Sequence, residues 1–194
     1  MSFNLVESVQ KSLGFPELQK IDPNTHEVKK PEEMSAENYL GQAAIPVVLT
    51  GIYKFTRTTE GNLAILKGQL SELLLPVIFG SQTHAVIAKV AEYTGNSIDY
   101  TENKMSLIIN EAVHIIRQHL GNEPVGSDIT AFFTSQRPDI LVYLPASLQI
   151  GKLLNDESLD DRTNKMEGPV SDIMHSIGQV FSSSGNDKKK DQNF

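Results

Sequence analysis

Cysteine and tryptophan are both missing from this chain. Without cysteine there is no disulfide, no thiolate nucleophile and no sulfur-rich zinc site. Aromatic residues are sparse at 7% and no Lys/Arg stripe is interleaved with them, so the stacking surface of a nucleic-acid binder is lacking. Positive charge is in deficit as well: 17 Lys and Arg stand against 24 Asp and Glu, a net charge of -7. Non-specific nucleic-acid binding draws on basic groups that release phosphate counterions, so this balance argues against such a partner. Long apolar runs are also lacking. AAIPVVLTGI and ELLLPVIFG reach about half a membrane span, and Pro or Gly interrupts each. The opening MSFNLVESVQKSLG carries Glu7 early and has no basic stretch ahead of an apolar one, so it does not read as a signal peptide. The expected location is the cytoplasm.

What is present is ordinary for a folded domain: 194 residues, 39% hydrophobic and 21% charged, enough for one domain or two small ones with a real core. Helical period dominates. Phe3, Val6, Val9 and Leu13 recur at spacings of three and four, and Gly14 then offers a left-handed stop. Residues 22–34, DPNTHEVKKPEEM, are charged and aperiodic, and read as a mobile arm or a surface wrap. Ser35 caps a helix through Tyr39, Leu40, Ala43 and Ala44, in which Pro46 predicts a kink or break near residues 42–45. A third pattern (Leu63, Leu66, Leu70, Leu73, Leu74) ends at Pro76, and Ser81 opens a helix that stops at Gly95. Met105, Ile108, Ile109, Ala112, Val113, Ile116 and Leu120 trace one apolar stripe closing on Gly121. Ser127 caps a short helix with Ile129, Phe132 and Phe133. Pro138 starts another, and a last one carries Leu148, Ile150, Leu153 and Leu154. No alternating strand pattern competes, and the expected class is all-α.

Two segments share a grammar. VESVQKSLG (6–14) matches IAKVAEYTG (87–95), and ENYLGQAAIPVVLTGIYKF (37–55) lies on ENKMSLIINEAVHIIRQHL (102–120), which places Pro46 on Glu111 and Gly51 on Ile116. Literal identity is low, so duplication of a helix-turn-helix unit and coincidence of two amphipathic pairs account for it equally. Residues 1–154 form the expected helical domain. Residues 155–168 (NDESLDDRTNKMEG) read as a polar linker, 169–181 as an amphipathic helix, and 182–194 as a disordered tail.

The ordered phrases SFNLVESVQKSLG, AAIPVVLTGI, IFGSQTHAVIAKVAEYTG and VGSDITAFFTSQRPDILVYLPASL resemble a YidB-like bacterial family, a domain of unknown function, in a Bacteroidetes-type form. They span most of residues 2–154. The chain departs from the family pattern at Asn110-Glu111, where relatives carry Ala-Pro, and at Ser81, where they carry a second glycine. The resemblance implies a multihelical YidB-like bundle and supplies no catalytic residues.

Chemistry-bearing residues are few. Glu111 and His114 form an E-x-x-H on one helix face; di-iron bundles use two such motifs with two further glutamates, and this chain has one. A metal-dependent helical enzyme using Glu111 and His114 is therefore the alternative reading, with a surface pair as the better account. His26, in the charged loop, reads as solvated. Arg137, in SQRPD, is open to anion binding or to bonding carbonyls at the end of the preceding helix, the second being favoured. No cofactor motif is present: neither a phosphate loop nor a dinucleotide-binding glycine pattern occurs. Val170, Ile173, Met174, Ile177 and Phe181 make the stripe of the last amphipathic helix, and packing on its own bundle competes with docking on a partner or a second copy. Lys188 to Lys190 add at most weak contact with a membrane. The expected function is a non-catalytic interaction or scaffold module.

Overall fold

The computed structural model describes residues 3–67, 74–121 and 124–160, which form an all-α multihelical bundle with no strand among them. In chain order the helices are α1 (Leu5–Ser12), α2 (Ala36–Phe55), α3 (Thr59–Lys67), α4 (Leu74–Phe79), α5 (Thr83–Thr94), α6 (Ile98–Leu120), α7 (Gly126–Leu141) and α8 (Ile150–Leu153). Short 3-10 turns occupy Gly80–Gln82, Ala146–Leu148 and Glu157–Leu159. Residues 169–194, expected to hold the last amphipathic helix and the tail, lie outside the described residues.

Local chemistry sets many of the boundaries. Asn4, Ser35 and Ser97 each accept the backbone N–H of the residue three positions on, and so open α1, α2 and α6. Gly14 (φ 70°) and Gly95 (φ 75°) take the left-handed conformation that a side chain would strain. Phe15 N then donates to Gln10 O (3.0 Å) and Asn96 N to Ala91 O (3.0 Å), the same closing bond at both ends. At α7 the expected cap is displaced. Ser127 is the second helical residue, and the Asp128 carboxylate accepts from Val125 N at 2.9 Å instead.

Helix α2 lies at the centre, packed against α1, α4, α5, α6 and α7, and every residue from Tyr39 to Ile52 is buried. It runs unbroken through Pro46, so the predicted break does not occur. The reason is one of magnitude. An interior proline costs about 3 kcal/mol, whereas each buried Val, Leu or Ile contributes roughly 1.5–3 kcal/mol. Leu40, Ile45, Val47, Val48, Leu49 and Ile52 are all fully enclosed. The same argument applies to α7, a single helix through Pro138 that buries Ile129, Phe132, Phe133, Ile140 and Leu141. Pro76 does not end a helix: α4 continues through it to Phe79.

The arm wraps the bundle. Ile21 N donates to Val142 O (2.9 Å) and Ala146 N to His26 O (3.0 Å). Ile21 and Val28 share a small core with Tyr39, against which Met34 and Tyr93 pack. Residues 155–160 likewise belong to the fold rather than to a solvated linker. Leu159 is fully buried, and Asp160 accepts from Gly151 N (2.9 Å) and Lys152 N (2.7 Å).

The contact pattern keeps its form when α1 is exchanged for α5 and α2 for α6. Both short helices pack on both long ones, and the long ones pack on each other.

Candidate functional site

The residues singled out from the chain do not converge. Val170, Ile173, Met174, Ile177 and Phe181 lie outside the described residues. Arg137 sits within α7 rather than between two helices, and its guanidinium donates to Ser158 O at 2.9 Å. Its acceptor is thus a carbonyl, as favoured, but one 21 residues further along the chain and not at a preceding helix end. Glu111 accepts from the Ser12 hydroxyl at 2.5 Å, which ties α6 to α1. His114 is exposed and pairs with Gln118 on its own helix at 2.9 Å. His119 stacks on Phe3 with ring centroids 4.0 Å apart. Among the described residues no group of three His, Cys, Asp or Glu side chains gathers around one point.

Polar side chains do meet beneath the arm. The Glu27 carboxylate accepts from Ser147 N (2.6 Å) and from the Ser147 hydroxyl (3.0 Å), and so caps the 3-10 turn Ala146–Leu148 from another segment. Tyr93 donates to the same carboxylate at 3.5 Å, and the single Tyr39 hydroxyl proton is shared between Val28 O and the Tyr93 hydroxyl, both at 3.3 Å. The two rings stack with centroids 5.9 Å apart. Burial, and to a smaller degree the Glu27 charge, pushes both phenols above their ordinary titration range, so they act as neutral donors at any physiological pH. His26 is half-buried with φ 57°, not solvated, and its Nδ1 has no partner among the described residues. The arrangement joins the arm, α2, α5 and the 3-10 turn. It is a latch, because its carboxylate and hydroxyls bind the protein itself.

Two buried glutamines have the same role elsewhere. Gln42, 6% exposed, accepts from Gln19 N and donates to Gln19 O, both at 2.8 Å. Gln136, also 6% exposed, accepts from Leu5 N (2.8 Å) and donates to Phe3 O (3.1 Å). Each amide satisfies both groups of an otherwise unpaired stretch of backbone. Gln42 left a trace in the sequence, as a lone amide within the apolar run from Tyr39 to Ile52. Glu27 left none, since a glutamate in a charged loop looks solvated.

Open cavities are modest. One, about 310 Å³, lies between α1 and the arm and is walled by Val6, Glu7, Lys11, Glu17, Leu18 and Tyr143. Another of about 290 Å³ is bounded by Phe55, Phe79 and Leu154, beside a Lys54 ammonium that donates to Leu154 O. The stretch Leu74–Thr94 is long and apolar enough, by length and composition alone, to cross a membrane. In the bundle, Leu75, Ile78, Phe79, Val86, Ile87 and Val90 fill the core, which accounts for that composition. Compared with protein-family models, with curated proteins and with solved structures, the chain has no match.

Proposed function

We propose that this chain is a non-catalytic helical scaffold that binds a protein partner, or a second copy of itself, through apolar helical surface. The observation that carries the reading is how its polar chemistry is used. Glu27, Gln42, Gln136, Arg137 and Asp160 each hold backbone of the chain's own fold. The segment 169–181 supplies the contact surface in this reading, because the spacing of Val170, Ile173, Met174, Ile177 and Phe181 predicts, from sequence, a helix with one apolar face. Kinship with the YidB-like family belongs to the same proposal and rests on the order of the four phrases quoted above. So does a cytoplasmic location, which rests on composition.

Light scattering on the eluting peak tests the reading with two proteins: the full chain and a chain ending at Asp160, which keeps Leu159 and its packing. The full chain is expected to form a dimer or to retain a partner from lysate. The shortened chain, and the full chain carrying Ile173→Asp and Ile177→Asp, are expected to do neither. Monomers throughout, with no partner retained by the full chain, would overturn it.

A further inference from the structure

We infer that residues 169–181 dock on the chain's own bundle, in the groove between α4 and α8, so that a partner must draw them out of it to reach their apolar face. The inference rests on the reading of 169–181 as an amphipathic contact segment and adds how that contact is regulated.

The groove has an apolar floor and no carboxylate on its walls. Phe55 at the end of α2, Ile78 and Phe79 on α4, and Leu153 and Leu154 at α8 bound about 290 Å³. Phe55 and Leu153 are half-buried, so apolar surface is left open there. The rim is polar and includes Lys54, Ser81 and Gln82. By contrast, Glu7 and Glu17 wall the cavity beside α1, and Glu37 walls another where the end of α1 meets α2 and α6. An apolar side chain entering either of those desolvates a carboxylate at a cost that this groove spares it. Since roughly 150 Å³ admits a benzene-sized ring, the groove takes one or two side chains of the stripe Val170, Ile173, Met174, Ile177 and Phe181.

The second observation is where the described chain leaves the bundle. Asn155 lines the groove, the Asp156 carboxylate pairs with Arg57 at 2.6 Å, and Asp160 accepts from Gly151 N and Lys152 N. The chain is therefore anchored beside the groove at the point where residues 161–168 lead on to the stripe. A polar linker of that length spans roughly 14–17 Å on average and about 28 Å at full stretch. Along α2, Lys54 on this groove and Asn38 on the cavity by α6 stand about 24 Å apart. A relaxed linker thus serves the near groove, and only a nearly straight one serves the far end. So short a tether also holds its segment at an effective concentration near the millimolar range, at which a contact of one or two apolar side chains is populated.

The chain has no cysteine, so Ser182→Cys carries a nitroxide as its sole label. Broadening of amide NMR signals by that label is read in the full chain, and again in a mixture where label and isotope sit on different copies. Within one chain, broadening is expected to be strongest at Thr58, Ser81, Gln82 and Asn155, to spare Leu13, Tyr100 and Leu107, and to be lost with Ile173→Asp and Ile177→Asp. Ser81→Trp, at an exposed rim position, should fill the groove and lower the broadening several-fold. Even broadening over the surface, broadening centred elsewhere, or no change when Ile173 and Ile177 are substituted would overturn the inference. Broadening that appears only in the mixture gives the groove to a second copy and overturns it as well. The partner reading fails separately. A monomer that retains no partner yet broadens within one chain loses that reading and keeps the docking; a dimer or a partner-bound chain without broadening at the groove loses the docking alone.

Discussion

Helices α2 and α6 occupy corresponding places in the bundle and meet their surroundings in opposite ways. Aligned from their C-terminal ends, Leu40, Ala43, Ala44, Val47, Val48 and Gly51 stand against Met105, Ile108, Ile109, Ala112, Val113 and Ile116, and all twelve are buried. Outside that shared stripe the two diverge. Tyr39, Gly41 and Gln42 are covered in α2, while their counterparts Lys104, Ser106 and Leu107 are half-exposed or exposed. The connection ahead of each helix explains the difference. Only Asn96 and Ser97 follow Gly95 before α6 begins, whereas residues 15–35 lie between Gly14 and α2. That longer connection lays Phe15 against Gly41, Gln19 on Gln42, and Ile21 and Val28 beside Tyr39. An amphipathic helix became a central one because the chain ahead of it returned to cover its outer face.

The shared stripe is where the comparison breaks hardest. Ile116 is fully enclosed, and Ile116→Ala should cost about 2–5 kcal/mol in chemical denaturation, through lost burial and the cavity left behind. The matching position on α2 is already small, and it fails in the other direction. A Cβ on Gly51 would stand 2.5 Å from Cε1 of Phe79, so Gly51→Ala should cost about 1–3 kcal/mol by overpacking. If Gly51→Ala instead stabilises the protein, as an alanine on an exposed helix would, then Phe79 is not held against that backbone.

This asymmetry also explains which parts of the fold were legible in the sequence. Every member of the α6 stripe from Met105 to Ile116 is buried as its spacing implies, because a helix with one solvated face announces itself by period. In α2 the kink or break expected at Pro46, and in α7 the new helix expected to start at Pro138, give way to helices that are each continuous, since local rules carry no information on how much burial surrounds the two prolines. The arm's course depended on Glu27 meeting Ser147, 120 residues away, and no periodicity encodes such a contact. Of the candidate site, Arg137 was visible as a residue and not as a geometry.

A smaller effect separates the outer faces. Gln42→Ala removes both bonds to Gln19 and should cost about 1–2 kcal/mol, since Gln19 is itself exposed and regains water. Hydrogen exchange should quicken for Gln19 to Val28 more than for α6. At the matching position, Leu107 is 51% exposed, and Leu107→Gln should stay within about 0.5 kcal/mol of the parent. Equal costs at the two positions would mean that the arm does not distinguish the two faces.

The arm's own turn should give the smallest signal, and one with a definite sign. The Asp22 carboxylate accepts from Asn24 N at 2.7 Å and Thr25 N at 3.4 Å, and the Asn24 bond is the main reason its carboxyl titrates below the usual value. A group with a depressed folded pKa stabilises the fold above its unfolded pKa and loses that contribution as pH falls through the folded one. The Asn24 amide proton shift should therefore follow a titration with its midpoint below the unperturbed aspartate value of about 3.9. Asp22→Asn should abolish that step while leaving the pH dependence of α6 amides unchanged. The second connection has no counterpart to this turn, because its two residues pass directly from the Gly95 stop to the Ser97 cap. A midpoint at or above the unperturbed value would mean that the turn is not closed in solution, and the cover over α2 would then have to be held without it, by the bonds of Glu27, Gln42, Ile21 and His26 and the packing of Ile21 and Val28 on Tyr39.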